Sequence, residues 1–121
     1  MSQHPAKPTS PAIDWELGLK LAGNKPQLAK DIMSVLMETL ANDMQDIVKS
    51  KNDPNIVLQR VHKLHGAISY CGLPRLKKLL AEFEQALKNE HFSNLEAYLE
   101  TLKAEVQLAL NEFAETNSND R

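Results

Sequence analysis

Three prolines set the strongest limit on what this sequence can fold into. Pro26, Pro54 and Pro74 each precede a run of apolar residues at helical spacing. Proline is favoured at the first position of a helix and disrupts a helix interior. The sequence therefore predicts several separate helices, and it argues against one continuous helical rod.

Two further helix starts complete the pattern. Asp14 is a suitable N-cap for a short helix that Gly23 ends. Residues 93–96, Ser-Asn-Leu-Glu, have the pattern of a capping box before the last helix. The long helices are thus predicted to begin near residues 26, 54, 74 and 95, with Gly72 as the stop of the second. In the first long helix, seven apolar residues are predicted to face the core: Leu28, Ile32, Val35, Leu36, Leu40, Met44 and Ile47.

The fold class follows from these lengths and connections. A chain of 121 residues fits one domain, and short loops between long amphipathic helices favour antiparallel neighbours. We predict an all-α fold, an antiparallel up-down four-helix bundle with a short additional N-terminal helix. The bundle is expected to occupy residues 13–116. Proline-rich residues 1–12 are predicted to be a disordered linker, and residues 117–121 a disordered C-terminal tail.

The helix that begins at Pro54 carries the candidate site. Its core stripe is predicted to be Val57, Val61, Leu64 and Ile68. At about 100° per residue, His62 points roughly 130° away from that stripe and Gly66 roughly 170° away. An exposed glycine in a helix costs about 1 kcal/mol relative to alanine, yet here it leaves bare backbone beside an imidazole. The surface stripe of this helix is then Leu58, His62, His65, Gly66 and Ser69.

Charge is distributed unevenly around this histidine. Residues 54–81 contain no acidic side chain and five cationic ones: Arg60, Lys63, Arg75, Lys77 and Lys78. The rest of the chain therefore carries a formal −7, since the whole chain carries −2. A cationic patch suits an acidic partner or a phosphoryl group, and a neutral imidazole can act as a nucleophile at cellular pH.

Composition excludes several other classes. The single cysteine, Cys71, allows no intramolecular disulfide and no cysteine metal cluster. No apolar run approaches the roughly 20 residues of a membrane span, and the polar N-terminus does not have the pattern of a signal peptide. A di-iron bundle needs inward Glu-x-x-His pairs, and none precedes His62, His65 or His91. A helical scaffold without chemistry stays open as the alternative.

Residues 62–72, His-Lys-Leu-His-Gly-Ala-Ile-Ser-Tyr-Cys-Gly, resemble the signature of the histidine phosphotransfer (HPt) domain. The version here, followed by Leu-Pro-Arg-Leu-Lys, is most similar to the C-terminal HPt domain of BarA-type (GacS-like) hybrid sensor histidine kinases. The resemblance covers about residues 13–115. It implies that His62 is the phosphoacceptor, through its outward Nε2, and that Gly66 opens the surface for a receiver domain.

The resemblance also implies roles for neighbouring residues. His65 stands where many members carry a lysine that helps to neutralise the phosphoryl group. Lys63, Leu58 and Ser69 would belong to the receiver-binding surface. Many members orient the histidine ring with a polar side chain of the next helix, and either Glu84 or Gln85 could do so here.

The function expected from the resemblance is phosphorelay. The domain would accept a phosphoryl group from a receiver aspartate and pass it to the aspartate of a response regulator. Alone it would have no enzymatic activity and would bind no metal or other cofactor, because the receiver domain supplies Mg²⁺. We expect a monomer in the cytoplasm, or the cytoplasmic part of an inner-membrane hybrid kinase. It should bind receiver domains and neither nucleic acid nor membrane.

Overall fold

The computed structural model describes residues 11–119 of the chain, with side chains through residue 116. Five α-helices follow one another, and a short 3₁₀ turn, Phe92–Asn94, leads directly into the last. Their bounds are α1 Trp15–Leu21, α2 Pro26–Lys49, α3 Pro54–Ile68, α4 Pro74–Lys88 and α5 Leu95–Asn119. No helix in residues 11–119 is both long and apolar enough to cross a membrane.

Asp14 and the three prolines lie at helix starts, as the sequence predicts. The Asp14 carboxylate accepts the Leu17 N–H, and the Asp53 carboxylate accepts the Ile56 N–H, so each caps a helix that follows it. A proline occupies the first turn of α2, α3 and α4. Because proline has no N–H, the position it occupies at each of these three starts leaves no backbone donor unsatisfied.

The four long helices form a closed ring around one core. Each packs against its neighbours in sequence, and α5 closes the ring against α2. The predicted all-α bundle with a short N-terminal helix is confirmed. The largest fully buried side chains come from α2, α3, α4, α5 and the turn before α4: Phe83, Met33, Leu40, Ile47, Ile68, Leu73, Leu80, Leu102, Val57 and Val61. Phe83 also stacks on Tyr98, with ring centroids 4.9 Å apart.

Helix α1 lies across one end of the bundle, against the turn between α3 and α4. The Asp14 N–H donates to the Gly72 carbonyl at 2.7 Å. A Cβ on Gly72 would lie 2.1 Å from the Asp14 carbonyl oxygen and 2.8 Å from the Gly18 nitrogen. Only glycine permits this backbone approach. The Trp15 ring also faces that of Phe113, with centroids 6.4 Å apart, so α1 is fixed to α5 as well.

Both predicted domain boundaries need correction where the structure describes them. The predicted linker includes Ala12, yet Ala12 is buried. The backbone N–H groups of Ala12 and Ile13 both donate to the Glu112 carboxylate. The predicted tail begins inside α5, which continues to Asn119 because nothing in that polar stretch breaks a helix. The remaining linker and tail predictions, for residues 1–10 and 120–121, lie outside the described residues.

Three local predictions were also wrong. Helix α3 ends at Ile68, a turn before Gly72. Ser93 does not begin α5 as a cap but lies within the 3₁₀ turn. Leu28 and Val35 are exposed, because α2 turns a narrower stripe inward than predicted. The buried stripe of α2 consists of Ala29, Met33, Leu36, Met37, Leu40, Met44 and Ile47.

Candidate functional site

Helix α3 holds His62 out of the bundle. The core stripe Val57, Val61, Leu64 and Ile68 is buried as predicted. The His62 side chain, which points away from this stripe, is 72% exposed. An imidazole on a rigid helix and open to solvent can be reached by a second macromolecule.

The His62 ring is fixed by a carboxylate from the next helix. Glu84 of α4 is 8% exposed at its side chain, and its Oε2 lies 2.5 Å from His62 Nδ1. Its other oxygen, Oε1, lies 3.0 Å from His65 Nδ1. Lys88, one helical turn further along α4, places Nζ 3.3 Å from Oε2. One buried carboxylate therefore joins two histidines and a lysine.

The charge state of Glu84 determines which imidazole nitrogens carry protons. Burial alone would raise the pKa of the Glu84 carboxyl, but hydrogen bonds from His62, His65 and Lys88 outweigh burial and hold that pKa below its ordinary value. Glu84 is thus ionised near neutral pH, and an ionised carboxylate can only accept hydrogen bonds. Both histidines must then donate from Nδ1, which in a neutral ring leaves the lone pair on Nε2.

The sequence alone leaves both Glu84 and Gln85 as candidates for the side chain that orients the ring. The structure brings Glu84 to His62, whereas Gln85 is exposed and is not part of the cluster. The Lys88 contact was missed, although its spacing of four residues from Glu84 is the usual signal for such a pair.

Gly66 lies on the exposed side of α3, one turn beyond His62. A Cβ built on Gly66 would meet nothing within 4 Å, apart from the backbone of its own helix. The packing of this chain therefore does not require glycine at this position. The bare backbone beside His62 is open space that another molecule could occupy.

Two grooves flank the histidine cluster along the α3–α4 face. One groove, nearer the start of α3, is lined by Leu58 together with Leu87, Lys88 and Phe92, among others. The other is lined by His65, Ser69, Cys71, Lys77 and Lys78, with Leu17 and Leu21 of α1 at its edge. Each groove thus combines apolar side chains with at least one lysine, and Glu90 also lines the first groove.

Three residues of the predicted cationic patch face elsewhere. Lys63 lines a separate groove between α2 and α3, together with Asp43 and Asp46. Arg60 pairs with Asp46 in the same region, at 3.7 Å. Arg75 forms an ion pair with Glu105 of α5. The cations that the structure places at the cluster are Lys88, which contacts Glu84, and Lys77 and Lys78, which share a groove with His65.

Two other side chains near the site have structural partners. The Ser69 hydroxyl donates to the His65 carbonyl at 2.8 Å, at the end of α3. Cys71 is buried, and burial raises the pKa of its thiol, which suits a core residue. Within residues 11–119, no three His, Cys, Asp or Glu side chains are arranged so that they could hold a metal ion.

Comparison with known proteins assigns the chain to a family. A model of the Hpt domain matches residues 31–112. The sensor histidine kinase GacS of Pseudomonas protegens is 40% identical over 80 residues, and the signal transduction histidine-protein kinase BarA of Escherichia coli K12 is 35% identical over 80 residues. Each match covers 64% of this chain and 9% of the kinase, so the chain spans a small part of those relatives.

A solved structure extends the similarity to the whole fold. The HPT domain of a sensor hybrid histidine kinase from Shewanella superposes with a TM-score of 0.82 at 31% sequence identity. The superposition covers 89% of this chain and 95% of that domain.

Proposed function

This chain belongs to the Hpt domain family, and we propose that His62 is the residue through which it accepts and releases a phosphoryl group. Its function is histidine phosphotransfer within a phosphorelay. One observation carries the assignment of His62: its ring is exposed while its Nδ1 is held by a buried, ionised carboxylate. That arrangement leaves the nucleophilic lone pair on the outward Nε2.

The proposed transfer needs no other reacting group from this chain. The Nε2 lone pair attacks the phosphorus of a receiver aspartyl phosphate, the N–P bond forms, and the bond from phosphorus to the aspartate oxygen breaks. The aspartate leaves as a carboxylate. The Nδ1 proton stays in the hydrogen bond to Glu84, whose negative charge stabilises the positive charge that develops on the ring. Attack by a second receiver aspartate reverses these steps.

Receiver domains are the proposed partners, and their acidic pockets would supply Mg²⁺. Lys77, Lys78 and Lys88 provide a cationic rim for an acidic surface. Gly66 and the two flanking grooves, which include Leu58 and Ser69, provide the contact area. We expect a small and short-lived interface, because each donor must leave before the acceptor docks.

The finer features of the module are also proposals. It would have no kinase or hydrolase activity alone, because the described residues offer no nucleotide-binding loop and no acidic metal site. A hybrid sensor kinase is the proposed parent if the chain is one part of a longer protein. We propose a cytoplasmic location, where ATP feeds such relays, and a monomer that binds neither nucleic acid nor membrane.

Phosphoryl transfer from a labelled receiver tests the proposal. A purified receiver domain, phosphorylated in the presence of Mg²⁺, is mixed with the wild-type chain, His62→Gln and the control His91→Gln, which alters an exposed histidine outside the cluster. We expect acid-labile, alkali-stable label on the wild type and the control, and none on His62→Gln. Label that persists on His62→Gln would assign the phosphoryl group to another residue. An unlabelled wild type, across several receivers, would favour a scaffold without chemistry.

A further inference from the structure

Glu84 contacts a second histidine that the proposed reaction does not use. His65 is 26% exposed, and its Nδ1 lies 3.0 Å from Glu84 Oε1. The His62 contact is made to the opposite oxygen of the same carboxylate. The Nδ1 atom of His65 is therefore bound to Glu84 and does not contact the reacting nitrogen, His62 Nε2. The hydrogen bonds of the described residues connect the His65 ring to His62 through Glu84.

We propose that His65 is a positioning residue for phosphotransfer: by holding Oε1 it fixes the plane and the charge distribution of Glu84, and through Glu84 the orientation of His62. This inference rests on the proposed function of His62. It differs from the lysine-like role that the family resemblance suggested for this position, in which the side chain would contact the phosphoryl group itself.

The geometry supports a positioning role in two ways. A carboxylate bound through one oxygen can still rotate about its terminal bond, because that torsion is broad. Donors on both oxygens remove this freedom, so Oε2 stays aimed at His62 Nδ1. The carboxylate is also almost fully buried, where an oxygen left without a donor is costly.

A third support concerns the tautomer of the His62 ring. His62, His65 and Lys88 all donate to Glu84. Without His65, Glu84 can turn Oε2 away from His62 Nδ1, and the neutral ring can then carry its proton on Nε2 instead. A ring protonated on Nε2 has no lone pair there and cannot attack phosphorus. His65 thereby helps to keep His62 in the nucleophilic tautomer.

Two substitutions separate this role from direct contact with the phosphoryl group. Asparagine places its amide nitrogen near the position of histidine Nδ1, and glutamine places its amide nitrogen near that of Nε2. His65→Asn can therefore still donate to Glu84 Oε1, whereas His65→Gln presents its donor further outward. His65→Leu removes both possibilities, and His91→Leu is the matched control for loss of a histidine outside the cluster.

The experiment measures the single-turnover rate of phosphoryl transfer from a phosphorylated receiver to each variant of the full chain. We expect His65→Gln and His65→Leu to be slower by about tenfold, the effect of losing one charge-assisted hydrogen bond. His65→Asn should retain most of the wild-type rate. Because His65 also lines a groove of the proposed receiver surface, the rates are compared at saturating receiver, where a change in docking affinity does not contribute.

A spectroscopic readout does not depend on transfer at all. The ¹⁵N shifts of the His62 ring report which nitrogen carries the proton. We expect a protonated Nδ1 and a bare Nε2 in the wild type and His65→Asn, and a mixture in His65→Leu. All variants should have the helical circular dichroism spectrum of the wild type, and a change in that spectrum would show a folding defect.

Two results would overturn the positioning role. Wild-type rates in both His65→Gln and His65→Leu would make His65 a surface residue without influence. A slow His65→Asn beside a fast His65→Gln would instead place the important donor at Nε2, in contact with the phosphoryl group. If the wild type accepts no phosphoryl group, the proposed function fails, while the ¹⁵N shifts still decide whether His65 controls the His62 ring.

Discussion

Two glycine-to-alanine substitutions are predicted to change stability in opposite directions. Gly66 lies in an exposed part of α3, and a Cβ there meets nothing within 4 Å. Alanine should stabilise the helix by about 0.5–1 kcal/mol, the usual difference between the two residues in a helix interior. In Gly72→Ala the new Cβ would lie 2.1 Å from the Asp14 carbonyl oxygen, so the turn and α1 must separate.

The cost of Gly72→Ala has two parts. Displacing packed backbone costs about 1–3 kcal/mol, and the hydrogen bond from the Asp14 N–H to the Gly72 carbonyl, worth about 1 kcal/mol, is weakened or lost. The sum is about 2–4 kcal/mol. For a domain of this size it corresponds to a fall in Tm of roughly 8–15 °C. Denaturant unfolding followed by circular dichroism measures both variants.

The Gly66 variant also tests why a helix would retain a glycine there. If a receiver approaches the bare backbone beside His62, the added methyl group should slow phosphoryl transfer even though the protein is more stable. A Gly66→Ala protein that is less stable than the wild type would refute the reading of this position as open space. One that is more stable and transfers at the wild-type rate would refute the close approach.

Three further predictions concern charged side chains. Glu84→Gln should slow phosphoryl transfer and lower the free energy of unfolding by about 1–3 kcal/mol, because the amide cannot accept from all three donors; a wild-type transfer rate in a folded variant would contradict this. The pKa of Glu84 is lower in the folded protein than its ordinary value of 4.5, so its contribution to stability is present above that value and is lost as pH falls through the folded pKa. Acid titration of the unfolding free energy should therefore be shallower in Glu84→Gln, and equal slopes would show that Glu84 does not contribute. Arg75→Leu should cost about 2–3 kcal/mol, since it leaves Glu105 mostly buried without its ion-pair partner; an unchanged Tm would mean that the pair contributes nothing.

The fold was predictable from the sequence because its signals are local. Each proline or aspartate cap determines a helix start through its own backbone chemistry, independent of the rest of the chain. The width of a buried stripe is not local, because it depends on how many neighbours a helix has and at what angle. Leu28 and Val35 each lie one residue from a buried position, about 100° around α2, and were misassigned for that reason.

The features of the candidate site that depend on α3 alone were predictable from the sequence, whereas the contacts between α3 and α4 were not. The exposure of His62 follows from its angle to the apolar stripe of α3. The choice between Glu84 and Gln85 depends on the rotation of α4 relative to α3, which only the packed core determines. The sharing of one carboxylate by His62 and His65 depends on the same rotation. It could not be derived from either helix alone.

We propose that His62 carries the phosphoryl group on Nε2 while Glu84 holds its Nδ1. The most direct test is NMR of the chain labelled with ¹⁵N histidine and phosphorylated by a phosphorylated receiver domain. We expect one phosphohistidine, at residue 62, with phosphorus coupled to Nε2 and a proton on Nδ1. Phosphorus on Nδ1, or on any residue other than His62, would contradict it.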